Sequence, residues 1–266
     1  MRSQTFILSG NSSDFTTSYK NTIHLNRNKK YEAALLSIDL FNSFPNITEK
    51  NNVFKYSTDN GSNWKVIRID TGSYQLSAIN DEIQRLMIIN GDYDSTNDKF
   101  YITISANTSK LTSLIEITNQ SYKIDFAVEN SLGPTLGFQK IILNYGYNVS
   151  TNIVDIIKIN IIHVNLGIIS GAYDNGVQSP VIYSFYPNVS PGYKIVERPN
   201  PSLIYCPINI SNINSMRLWL TDQDNNLVDV RGGRVDVKIK MREVTKKLTK
   251  EDIKEVIKEL KEENIL

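Results

Sequence analysis

The sequence predicts a mostly-β, antiparallel fold of the sandwich or barrel class. Three observations predict it. Roughly a dozen short apolar runs are separated by turn residues at intervals of about 8 to 12 residues. The clearest runs alternate apolar and polar side chains with the period of two that a half-buried strand requires. Helical periodicity occurs in just two places, so there is no βαβ alternation to build a parallel sheet.

A chain of 266 residues fits one large β domain or two small ones, and it can bury a sizeable core without disulfides. Lysine and arginine number 29 against 28 aspartates and glutamates, so no global charge attracts nucleic acid or an anionic membrane. Cys206 is the one cysteine, which excludes an intrachain disulfide framework and a cysteine-built zinc site. It reads as a small buried apolar residue. The N-terminal apolar run Phe6-Ile-Leu8 is too short for a secretion signal. Ile153 to Ile169 is broken by Asp155, Lys158, Asn160, His163 and Asn165, which argues against a membrane span. The expectation is a protein made in the cytoplasm, with no membrane partner.

Taken in order, residues 1–30 are polar and carry Arg2, Lys20, Arg27, Lys29 and Lys30 against Asp14. They read as an extended basic arm, with a docked strand through Phe6, Ile7 and Leu8 as the rival. Residues 31–244 read as the β body, with a subdivision near 131–150 left open. Ala34 to Phe44 stops at Pro45-Asn46. Val53 to Tyr56 and Trp64 to Ile69 flank Asp59-Asn-Gly-Ser62, a hairpin turn, because Asn-Gly supplies positive φ. Ser77 is the candidate cap of an internal helix with the stripe Ile79, Ile83, Leu86 and Met87, ending at Asn90-Gly91. Asp81 and Glu82 are placed in its first turn. Phe100 to Ile104, Leu114 to Thr118 and Tyr122 to Val128 continue the strands. Ile153 to Val164 is rich in isoleucine and reads as a strand covered on both faces. Val181 to Tyr186, Tyr193 to Val196, Ser202 to Ile208 and Met216 to Leu220 follow. Val235, Val237, Ile239 and Met241 face one way in the last strand, and Arg234, Asp236, Lys238, Lys240 and Arg242 the other. Residues 245–266 then read as an amphipathic helix. Its stripe is Ile253, Val256, Ile257 and Leu260. A helix this short is marginal alone, so the stripe is expected to dock on a partner or neighbouring subunit. Packing on its own sandwich is the alternative.

Catalytic chemistry has no visible carrier. His24 and His163 are the two histidines, and neither stands in a metal or nucleophile motif. Asp92, Asp94 and Asp98 have Asn97 and Thr103 where a calcium loop needs glycine and glutamate, and Asp222, Asp224 and Asn226 have Leu227 and Gly233. The expectation is no enzyme, no cofactor and no metal. Tyr145-Gly-Tyr147 is the most exposed-looking aromatic cluster and the candidate contact for a receptor or carbohydrate.

Several segments together resemble a known group. They are Thr71-Gly-Ser-Tyr-Gln-Leu-Ser-Ala-Ile-Asn-Asp-Glu-Ile83, Ile104-Ser-Ala-Asn-Thr-Ser-Lys-Leu111 and Asn130-Ser-Leu-Gly-Pro-Thr-Leu-Gly-Phe138. In the second half they are Gly192-Tyr-Lys-Ile-Val-Glu-Arg-Pro199, Leu218-Trp-Leu-Thr-Asp-Gln-Asp-Asn-Asn-Leu-Val-Asp229 and Arg231-Gly-Gly-Arg-Val-Asp-Val-Lys-Ile-Lys-Met-Arg-Glu243. Across about residues 32–243 this order resembles capsid proteins of the Polinton (Maverick), adintovirus and virophage group. The resemblance implies a virion component built on jelly rolls; with the residue reading above, the expected fold is a jelly-roll-like β-sandwich with one internal helix and a C-terminal helix, the latter lying outside the resemblance. The chain is short for two jelly rolls, so a minor capsid (penton) subunit is implied ahead of a major one. The expected partners are further copies of itself (pentamer first, trimer second), other capsid proteins, and packaged DNA through the basic arm. A receptor- or carbohydrate-binding sandwich is the alternative. No site residue is carried over from the group.

Overall fold

Alternation settles the first strand. Phe6 and Leu8 are buried while Ile7 between them is exposed, as period two demands of a strand with one dry face. The computed structural model describes residues 3–170, 172–174, 176–199 and 202–244. The chain begins with β1 (Ser3–Gly10), β2 (Asp14–His24) and β3 (Tyr31–Phe41). It then forms β4 (Val53–Ser57), β5 (Lys65–Arg68), α1 (Leu76–Ile89), β6 (Ile102–Asn107), β7 (Thr112–Ile117), β8 (Lys123–Asp125), β9 (Ile142–Leu143) and β10 (Gly146–Val149). The last part holds β11 (Ile162–Leu166), β12 (Ala172–Asp174), β13 (Val177–Ser179), β14 (Val181–Phe185), β15 (Lys194–Glu197), β16 (Cys206–Pro207), β17 (Asn212–Thr221) and β18 (Val235–Glu243).

Two sheets form a sandwich, in the orders β1-β18-β3-β15 (with β16 also on β3) and β14-β11-β17-β2. Counted along the chain, their eight main strands pair first with eighth, second with seventh, third with sixth and fourth with fifth, all antiparallel. Contacts of the eighth strand with the third and of the seventh with the fourth complete the sheets. A long antiparallel ribbon rolled onto itself in this way is a jelly roll, so the expected fold class holds. The inward residues of both sheets, among them Leu8, Leu35, Ile38, Val164, Leu218, Val237 and Ile239, form one core.

The third-to-fourth connection holds a second unit. Residues from Ile47 to Leu143 build their own core, with Phe54, Tyr56, Ile79, Ile83, Ile115, Ile124 and Phe126 at its centre. Its layers are the sheet β5-β4-β8-β9, the sheet β10-β7-β6 and α1. The boundary between cores therefore lies at Phe44/Ile47 and at Ile156/Ile159, not near 131–150. α1 buries Leu76, Ile79, Ile83 and Met87. Ser77 is not its cap. Gln75 occupies that position without a side-chain bond, and Asp81 and Glu82 lie beyond the first turn. Glu82 instead accepts both bonds of Arg85.

Two further expectations change. Residues 3–24 are not a free arm, because β1 pairs with β18 and β2 with β17. The alternative, a docked strand through Phe6, Ile7 and Leu8, holds instead; Lys20 sits on an outward position of β2, and Arg27, Lys29 and Lys30 in the following turn. Gly10 makes the corner between the two sheets, where a Cβ would lie 2.5 Å from the Phe15 ring. Residues 153–161 form no strand; strand pairing begins at Ile162. Both Ile153 and Ile157 are exposed.

Candidate functional site

Antiparallel reversal sorts the sandwich loops to two ends. The insertion emerges at the end that also carries residues 186–193 and 222–234. At this joint a cleft of about 370 Å³ lies between Phe44, Tyr74, Ile157, Pro187 and Val189. Amides fasten its walls. Asn46, only 6% exposed, donates through Nδ2 to the Tyr74 and Ile156 carbonyls and accepts from the Tyr74 N–H. Asn42 Nδ2 donates to the Val189 carbonyl at 2.6 Å. Among the described residues Lys158 is the one charged side chain lining the cleft, with the Tyr74 phenol and otherwise apolar, amide and hydroxyl groups around it. No aspartate or glutamate among the described residues lines this cleft.

The polar candidates form turns and sheet contacts. Asp94 accepts from the side chain of Asn97, the Tyr101 hydroxyl, and the N–H groups of Asn97 and Thr96, which hold its carboxyl down at about 2. Asp222 accepts from the N–H groups of Asp224 and Asn226. These carboxylates are consumed by their own loops. His24 Nδ1 meets Asn212 at 2.9 Å and His163 Nδ1 meets Ser184 Oγ at 2.7 Å. Neither pair includes a carboxylate to orient the ring as a catalytic base. Burial pushes the Cys206 thiol up, away from nucleophilic thiolate.

Tyr145 and Tyr147 lie on the insertion and are exposed, Tyr147 at 73%. Gly146 between them has φ +116°, and Asn148 Nδ2 donates to the carbonyls of Asn144 and Gly146, fixing the corner. β10 is an edge strand; Tyr147 is opposite Glu116 on β7, and a hydrogen bond to Glu116 pushes its hydroxyl pKa up. The structure thus brings the two tyrosines to one open edge. Ile253, Val256, Ile257 and Leu260 lie outside the described residues.

Sequence reasoning missed a basic corner at the opposite end of the sandwich. Arg27, Lys29 and Lys30 connect β2 to β3 and border an open groove with Leu25, Ile208 and Ile210. Val244 leaves the jelly roll at the same corner, its N–H donating to the Lys30 carbonyl at 2.9 Å. The four-residue run Arg27-Asn-Lys-Lys30 was the available signal, but it was absorbed into the supposed arm.

The fold and these surfaces define a jelly-roll protein with an inserted folded unit. No family model matches the chain, and no curated protein matches it. Among solved structures it is similar to the mavirus penton protein, with 14% identity, 91% of this chain and 99% of that chain covered, and a TM-score of 0.47. It is also similar to the D2–D3 domains of the flagellar cap protein FliD from Escherichia coli, with 13% identity, 83% and 99% covered, and a TM-score of 0.21. Both likenesses are too distant to carry functional weight.

Proposed function

We propose that this chain is a structural virion protein, a minor capsid (penton) subunit that assembles with copies of itself through jelly-roll surfaces. One observation carries the reading: the described residues form a single jelly roll whose third-to-fourth connection holds a second folded unit. Jelly rolls serve shells, lectins and cupins, and fold alone does not choose among them. The sequence resemblance to virophage-group capsid proteins favours the shell. A single jelly roll favours the vertex position over a double-jelly-roll major subunit. β2 and β14 are the end strands of their sheet, and polar side chains such as Thr16, Ser18 and Lys20 protect β2 from indiscriminate pairing. Light scattering with chromatography across the micromolar range tests this. A closed oligomer, pentamer first and trimer second, supports it; a strict monomer overturns it.

The exposed Tyr145 and Tyr147 favour a second reading, a receptor- or carbohydrate-binding module, because exposed aromatic faces stack on sugar rings and on cations. A glycan array compared between the native chain and Tyr145→Ala/Tyr147→Ala tests it. Native binding that the double variant loses supports this reading, and no native binding rejects it.

A further inference from the structure

The groove at the end of the jelly roll remote from the insertion has an apolar floor and a charged rim. Leu25 and Tyr31 are buried beneath it, and Ile208 and Ile210 are partly open. Lys29 on the rim is paired with Glu243 at 2.7 Å. Arg27 and Lys30 are exposed and have no ion-pair partner among the described residues. The groove therefore suits an apolar stripe flanked by acids.

Residues 245–266 have that pattern. Set at helical spacing, Asp252, Glu259 and Glu263 fall along one side of the stripe Ile253, Val256, Ile257 and Leu260. Lys250, Lys254 and Lys261 fall along the other side. Val244, the last described residue before this segment, lies beside the groove rim, its N–H donating to the Lys30 carbonyl. Yet the segment's first charged residues are Lys246, Lys247 and Lys250, which repel the basic rim they would have to cross in their own molecule. The acids come later. Residues 245–252 extended span about 26–29 Å, more than the roughly 19 Å width of a four-stranded sheet, which is enough to reach an adjacent jelly roll.

We propose that the groove between residues 25–31 and 207–211 receives segment 245–266 of a neighbouring copy, with its acidic flank against Arg27 and Lys30. Every subunit then gives one tail and accepts one, a heterologous contact that closes into a ring. This inference rests on the assembly reading above and names the contact within it.

Reversal of charge tests it on the full chain. R27E/K30E and E259K/E263K should each weaken association about tenfold, in line with two partly exposed ion pairs. Combining all four changes in one chain should restore it. Mixing the two double variants should restore much of it, because each groove then finds a matching tail on the other variant, save at the one like-with-like contact that a ring of five or three must keep. A mixture that stays dissociated while the combined variant assembles would place the contact within one molecule and overturn the proposal. R27Q/K30Q covers the case in which a reversal disturbs folding, and should give a smaller loss with less dependence on salt. If the native chain is monomeric at every concentration, the assembly reading fails. If it assembles and all these variants assemble equally, only the groove assignment fails. Loss of duplex-DNA retention in R27E/K30E with unchanged assembly would likewise overturn it, assigning the rim to nucleic acid.

Discussion

Asn46 and Ile156 stand at the two crossings between the jelly roll and its insertion, and the Asn46 amide donates to the Ile156 carbonyl at 2.9 Å. The same nitrogen reaches the Tyr74 carbonyl at 2.7 Å. Asn46→Ala removes both bonds and the bond from the Tyr74 N–H, and leaves part-buried backbone groups unpaired. The expected loss is about 2–3 kcal/mol in denaturant unfolding. A loss below about 0.5 kcal/mol would mean the joint is held by packing alone.

Two glycines with positive φ should respond differently to alanine. Gly91 (φ +75°) has nothing within 4 Å of the added carbon, so Gly91→Ala should cost the left-handed penalty of about 1–2 kcal/mol. Gly137 (φ +81°) would place it 2.3 Å from the Asn152 carbonyl oxygen, a backbone atom. Gly137→Ala should therefore unfold the chain at clearly lower temperature than Gly91→Ala. Equal melting temperatures would contradict the packing at this turn.

Separate cores predict separable stability. Leu35→Ala should destabilise the jelly roll and Ile79→Ala the insertion, each by about 2–5 kcal/mol. Hydrogen exchange followed by peptide should show faster opening confined to the unit that carries the change. Acceleration spread over both units by either variant would indicate one cooperative core.

The pH dependence has two limits. Bonds from the Asn63 N–H and side chain and from Ser57 hold the Asp59 carboxyl down at about 2, and Asp94 is held as low. A depressed carboxyl gives stability present above the unfolded value near 3.8 and lost as pH falls through about 2. In alkali, burial pushes the Tyr122 hydroxyl up to about 12, with Asp92 adding to the rise. Its contribution is intact below 10 and is lost as pH rises from 10 through about 12. Thermal melts across both windows check this. Tyr122→Phe should flatten the alkaline limb; an unchanged limb would remove Tyr122 as its cause.

The strands were legible wherever one face is wet. Val235 to Met241, Phe6 and Leu8, and the Asn60-Gly61 turn all show their structure in alternation or turn chemistry. Three features were not legible, each for a physical reason. The basic residues of 1–30 concealed the edge strand β2 and left β1 as the second choice, because polar side chains protect an edge and also mark a disordered arm. Ile153 to Ile159 looked like a covered strand, because isoleucine propensity does not say whether a partner strand is present. The insertion was invisible as a unit, since its boundary at Phe44 and Ile47 falls inside ordinary loop sequence, and only long-range pairing reveals which strands share a core. The tyrosine corner was legible from Tyr145-Gly-Tyr147; the groove at Arg27 and Lys30 required β3 and β16 to meet.

Assembly of jelly rolls into a closed ring can be seen by electron microscopy of the purified full chain at micromolar concentration. The prediction is class averages of closed rings of one size, five-fold first and three-fold second, with the insertions grouped on one face. Isolated particles of single-chain mass at every concentration, alone or mixed with other virion proteins, would contradict it.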